Sequence, residues 1–213
     1  MKLDEVGRKQ AQRTAERLAE VPLVGVVSSP LERCRQTAKA ILALQHDHQN
    51  HPATPIERAI TECDYGEWQG RALKDLAKED LWKVVQNQPS AAAFPGGESL
   101  AAMQARSVAA IRRLDAAFEQ EHGAGAVWVA VSHGDIIKSV LADAYGMHLD
   151  LFQRINVGPA SVSIIRYGSN RPDVVSTNTD SGDLSWLKAA PPAAEALVGG
   201  GAGNPEPAQG DRS

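Results

Sequence analysis

The sequence predicts an α/β fold with a mainly parallel sheet and helices on both faces. Three observations carry this. Short apolar runs alternate with longer amphipathic segments, the order that builds strand–helix units. Val127–Val131 is an unbroken apolar run, as in a central parallel strand covered on both sides. The length of 213 residues suits one domain, or one domain with a tail, and is enough to bury a core.

The elements follow in order. Residues 4–20 read as a helix, with Ala11, Ala15 and Leu18 on one narrow apolar face. Residues 24–27 read as a buried strand. Ser29, Pro30 and Glu32 predict a helix start, with Ser29 as N-cap, Pro30 in the first helical position and Glu32 completing a capping box. That helix is expected to reach residue 44, followed by a polar loop over 45–55. A short strand is expected over 55–60, then a Gly-punctuated loop over 62–70 and a helix over 73–85. After Pro95-Gly96-Gly97, a long helix over 99–121 buries Leu100, Met103, Ile111, Leu114 and Phe118. Strand 127–131 leads into a helix over 136–145, and 161–167 and 174–176 read as edge strands. Residues 189–213 are rich in Ala, Gly and Pro and are expected to be a disordered tail, which leaves 1–188 as the folded domain.

Composition excludes some functions. Lys and Arg number 22 against 26 Asp and Glu, a formal charge of −4. A nucleic-acid binder needs a surplus of cations, so that class is disfavoured. No run approaches the roughly 18 apolar residues of a membrane span, and the start does not read as a signal peptide. Cys34 and Cys63 make no disulfide framework and no zinc spacing. A reduced, cytoplasmic chain is the simplest expectation.

Ligands of open α/β sheets sit beyond the carboxyl ends of the strands. Two such ends stand out. After the first strand, Ser28-Ser29-Pro30-Leu31-Glu32-Arg33 opens a helix, whose N–H groups suit an anion. Arg33 either adds a fork for phosphate or carboxylate or pairs with a surface carboxylate. After the strand 127–131 comes Ser132-His133-Gly134-Asp135. His133 is either a chemical group of a site or a satisfied structural histidine. A third segment, Thr61 to Gly70, holds Glu62 beside Tyr65 and Trp68. Those rings either desolvate a general acid and line a pocket, or Glu62 is ordinary loop charge. Cys34, between Arg33 and Arg35, is either an activated or a packed thiol. Trp82, Trp128 and Trp186 read as packing groups. His46, Asp47, His48 and His51 read as a solvated loop rather than a metal cluster.

Together these motifs resemble the histidine phosphatase superfamily, the phosphoglycerate-mutase-like enzymes, and within it the phosphomutases and broad-specificity phosphatases of actinobacteria. The resemblance rests on five ordered pieces. They are Leu3-Asp4-Glu5-Val6-Gly7 with Gln10-Ala11; Ser28-Ser29-Pro30-Leu31 with Arg33, Gln36 and Thr37; Glu62 with Gly66, Trp68 and Gly70; Pro95-Gly96-Gly97-Glu98-Ser99; and Ser132-His133-Gly134. The resemblance implies that Arg33 and Gly134 bind phosphate. It implies that His133 stabilises the transferring phosphoryl group and that Glu62 protonates the leaving oxygen and later activates water. It implies no metal and no cofactor, and a small phosphorylated metabolite as substrate.

The family's nucleophile is a histidine in an Arg-His-Gly motif ending a first, central strand. That motif does not occur in the 213 residues. The expectation is an N-terminally incomplete domain, with a defective relative as the alternative. The chain as given is expected to be nearly inactive, with an exposed ladder edge along 127–131. The family's mutases carry an Arg-rich insertion after the acid loop. Residues 83–94 contain one Lys and no Arg, which favours hydrolysis over phosphoglycerate mutation. A non-catalytic phospholigand-binding protein and a fragment that does not fold alone are the remaining alternatives.

Overall fold

The structure is a computed structural model that describes residues 1–45, 52–168 and 170–180. The proposed tail, Trp186 and the 46–51 segment lie outside the described residues. Helix α1 (Glu5–Leu18) is capped by Asp4, whose carboxylate accepts from Gly7 N at 2.7 Å. Strand β1 (Leu23–Ser28) follows, then α2 (Glu32–Leu42). The expected 73–85 helix is two pieces, α3 (Leu73–Leu76) and α4 (Asp80–Asn87). Helix α5 (Leu100–His122) starts at Ser99, whose hydroxyl accepts from Ala102 N, and Gly123 ends it at φ 88°. Strand β2 (Val127–Val131), helix α6 (Gly134–Ala144) and the strands β3 (Val162–Arg166) and β4 (Asp173–Thr179) complete the chain.

The α/β class and the helices on both faces are as expected. β1 and β2 pair in parallel, Val26 opposite Val129 and Ser28 opposite Val131. Alternate residues serve opposite faces. Val26 and Val131 meet Ala15, Cys34, Ala38 and Ile41 of α1 and α2. Val27 meets the larger core of α5 and α6, with Met103, Leu114, Phe118 and Leu141. Gly25 is required by this second packing, because a Cβ there would lie 2.4 Å from Phe118 Cζ. β3 and β4 form a separate antiparallel hairpin. It is tied to α1 by Thr14 Oγ1 on Ala160 O and Arg17 on Thr179.

Three expectations need correction. The 55–60 strand is not one. Residues 53–57 lie along β1 through isolated bridges at Ala53 and Ile56, then turn into a 3-10 helix at Arg58–Ile60. Pro52 and Pro55 lack N–H groups, so a regular ladder cannot form. Next, β2 is not central: its two faces meet the two cores, Trp128 and Ala130 on one and Val129 and Val131 on the other, but only Val131 is buried and Val127 is 45 % exposed. Among the described residues its outer edge pairs with no strand, which is the exposed ladder edge expected above. Finally, Ser29 does not cap α2. The N-cap position is Leu31, with no side-chain cap, and the Ser29 hydroxyl is engaged elsewhere.

Candidate active site

The ends of β1 and β2 meet at His133. Ser29 N donates to Val131 O at 3.0 Å, which holds the two exits side by side. His133 is the N-cap residue of α6 and is 5 % exposed. Arg33, in the first turn of α2, places Nη2 2.7 Å from His133 Nδ1, and Ser29 Oγ lies 2.7 Å from Nε2. A guanidinium has no acceptor, so Nδ1 must accept and Nε2 carries the proton. His133 is therefore neutral here and donates to Ser29. Burial, then Arg33 and Arg106, push it down to about 3. This also excludes a Ser–His nucleophile pair, since His133 gives Ser29 a proton rather than taking one.

Gly134 is the first residue of α6, where backbone N–H groups lack helical partners. It adjoins His133, on whose ring Arg33 rests. Cys34 Sγ is 3.5 Å from His133 Nε2, but burial raises the thiol to about 11 despite Arg33, so it is a packed thiol. Both cysteines are free and buried.

Glu62 follows the 3-10 turn and a short extended residue. Its Oε1 accepts from Cys63 N at 3.0 Å, and its Oε2 is buried with no hydrogen-bond partner. Burial, with the Asp135 charge next, raises it to about 8; Arg33 and Lys138 pull the other way. It is therefore mostly protonated near neutral pH. Of the rings expected to line a pocket, Trp68 does not: it is buried, stacks on Trp82 and meets Phe94, with its N–H on Glu79. Tyr65 instead donates to Asp135 Oδ2 at 2.8 Å.

The loop carrying Glu62 is held from below by the Pro95–Glu98 turn. Glu67 N donates to Pro95 O and Glu98 N to Asp64 O, each at 2.9 Å, and Asp64 N donates to Glu98 Oε1. Gly66 and Gly97 allow this contact, because a Cβ at either would lie 2.2 Å from opposing backbone oxygen. Arg106 of α5 forks onto Glu98 through Nε at 2.9 Å and Nη2 at 2.5 Å, and its remaining N–H groups reach Ala59 O and Glu62 O. Glu98 appeared in the sequence only as part of a motif, and Arg106 had no signal.

Among the described residues, no group of three His, Cys, Asp or Glu could hold a metal, and no helix is long and apolar enough to cross a membrane. His46, Asp47, His48 and His51 lie outside the described residues.

Residues 1–180 match the histidine phosphatase superfamily (branch 1). The chain belongs to that superfamily. Phosphoserine phosphatase 1 of Hydrogenobacter thermophilus is 29% identical over 179 residues, covering 83% of this chain and 80% of that protein. A probable phosphoglycerate mutase of Yersinia pestis is 28% identical over 172 residues, covering 78% of this chain and 73% of that protein. Among solved structures, a putative alpha-ribazole-5'-P phosphatase of Escherichia coli superposes with a TM-score of 0.70 at 25% identity, covering 84% of each chain. The superfamily therefore contains both phosphatase-named and mutase-named relatives of this chain.

Proposed function

We propose that this chain is the phosphate-handling body of a cytoplasmic phosphomonoester hydrolase that acts on a small phosphorylated metabolite through a phosphohistidine. The observation that carries the reading is the Arg33–His133 contact at 2.7 Å, at the meeting of two strand ends, with the buried carboxyl of Glu62 facing Arg33. Arg33 supplies the fork for phosphoryl oxygens, and His133 with the Gly134 N–H stabilises charge on them. Glu62 is set to give a proton near neutral pH, which suits a leaving alkoxide.

In this reading the nucleophile is a histidine in an Arg-His-Gly segment that the 213 residues do not contain. Among the described residues the outer edge of β2 pairs with no strand, and β2 ends directly at Ser132 and His133, which supports that reading. Its imidazole nitrogen bonds phosphorus as the phosphorus–oxygen bond to the leaving group breaks, and Glu62 protonates that oxygen. Water then attacks phosphorus, its proton passes to Glu62, and the phosphorus–nitrogen bond breaks. Hydrolysis is favoured over mutation because residues 83–94 hold one Lys and no Arg. In addition, Ala92 and Phe94 of that stretch are core residues rather than site residues.

The absence of Arg-His-Gly also supports a second reading, binding of a phosphorylated ligand without transfer. One pair of measurements tests both. Calorimetry with inorganic phosphate should show binding that Arg33→Ala weakens at least tenfold. Hydrolysis of p-nitrophenyl phosphate by the 213-residue chain should remain within about 10³–10⁴ of the uncatalysed rate. Turnover far above that, unaffected by His133→Ala, overturns the hydrolase reading as stated; absence of phosphate binding overturns both.

A further inference from the structure

We propose that Asp135 is a positioning residue for Glu62: it ties the acid loop to the His133 turn and keeps the proton on Glu62 rather than on itself. This rests on the reading of Glu62 as the acid.

The tie is one of two that bracket the site. Ser132 Oγ donates to Ile60 O at 2.8 Å, and Tyr65 OH donates to Asp135 Oδ2 at 2.8 Å. The first bond lies two residues before Glu62 and one before His133. The second lies three residues after Glu62 and two after His133. Between these anchors neither segment can slide without breaking a partly buried hydrogen bond. Glu62 and His133 thus keep a fixed relation although they sit on loops 71 positions apart in the chain.

The partition of the proton follows from the donors around each carboxyl. Asp135 is 2 % exposed and sits in the first turn of α6, where a helix dipole favours an anion. It takes the Tyr65 hydroxyl, and Lys138 Nζ stands 3.7 Å from Oδ1. Lys138 is itself only 8 % exposed and is held by Gln153 Oε1 at 3.2 Å, with Nζ 5.8 Å from the Phe152 ring centre. Each carboxyl accepts one hydrogen bond at one oxygen, Glu62 from Cys63 N and Asp135 from Tyr65 OH; the other oxygen of each is buried and accepts none, but that of Asp135 has the Lys138 ammonium 3.7 Å away. Two neighbouring carboxyls in low dielectric do not both ionise, and the one beside the ammonium and the helix N-terminus keeps the charge. The other groups facing Glu62 are the cations Arg33, Arg106 and Lys138 and the neutral acids Tyr65, Cys63 and Cys34. The three cations favour an ionised Glu62, so burial and Asp135 must outweigh them. Tyr65 is pushed well up by burial and by both carboxylates, so it remains a donor.

The test is a carbon-13 NMR pH titration of the side-chain carboxyls of the full chain, with Glu62 assigned by its loss in Glu62→Gln. Asp135→Asn retains an oxygen for Tyr65 and removes the charge. We expect Asp135 to be ionised and Glu62 protonated at pH 6 in the unmodified protein. We expect Asp135→Asn to lower the Glu62 midpoint by about one unit or more. Tyr65→Phe, which keeps the charge, should leave that midpoint high. An unmoved midpoint in Asp135→Asn overturns the proposal. If that variant does not fold, the unmodified protein still decides: Glu62 ionising before Asp135 overturns it. Phosphate calorimetry separates this from the functional reading. Phosphate bound with the titration order reversed removes the role of Asp135 alone. The expected order without phosphate binding removes the functional reading alone.

Discussion

The two edges of the β1–β2 pair differ sharply. The outer edge of β1 is covered: residues 53–57 run beside it, and Val26 N, Ser28 N and Glu57 N are bonded across the gap at 2.8–3.0 Å. That covering run is pinned in turn, by Arg113 on Glu57 and by Arg106 on Ala59 O. Accordingly five of the six β1 residues are buried, whereas β2 buries only Val131. Similar apolar sequences thus have different environments because one edge is satisfied and the other is not. A strand's hydrophobicity reports what it is suited to bury, and its neighbours decide how much it does bury.

The largest effect expected on this comparison is from Arg106→Ala. It removes the pin on the covering run and leaves Glu98 without its guanidinium. Loss on the order of 3 kcal/mol is expected, discounted toward 2 because both side chains are about a quarter exposed. Urea unfolding checks this, and a change below about 0.5 kcal/mol would show that the covered edge holds without it. Next come the strands themselves. Gly25→Ala drives a methyl into Phe118, and Val27→Ala empties a site that is 0 % exposed. Each should cost about 1–3 kcal/mol. Val127→Ala on the open edge, 45 % exposed, should stay within about 0.5 kcal/mol. Equal losses at Val27 and Val127 would erase the contrast.

The last test is pH dependence. Glu62 is raised to about 8, so its contribution to stability is full below its ordinary value and is lost as pH rises toward 8. His133 is lowered to about 3, so its contribution is full above its ordinary value near 6.5 and is lost as pH falls toward 3. Between about 4.5 and 6.5 the two slopes oppose and stability should be nearly flat. From 6.5 to 8 the Glu62 slope stands alone and stability should fall. Glu62→Gln should abolish that fall in melts at stepped pH; a fall that persists would assign it to another group.

Much of this arrangement was legible from strand ends and helix starts. The rule that ligands gather beyond carboxyl ends of strands selected both Arg33 and His133, and the structure joins them. The long helix followed from the period of its buried residues. What failed did so through tertiary competition. Ser29 had every local mark of an N-cap, yet its hydroxyl lies on an imidazole 104 positions away. Trp68 looked like a pocket wall because it neighbours Glu62, but a 3-10 turn rotates it into the core. Asp135 and Tyr65 lie 70 positions apart, and no local pattern announces a bond of that span.

Gly66 and Gly97 set the order in which the site can assemble. Each backbone occupies the space where the other's side chain would be, so neither turn is a preformed platform for the other. Closing the chain between them costs loop entropy before any bond across the contact repays it. The acid loop therefore gains its shape only when the start of α5 has docked, and it loses that shape as one piece with the turn beneath it. The surroundings of Glu62 are thereby expected to form late in folding, after long-range contacts have closed.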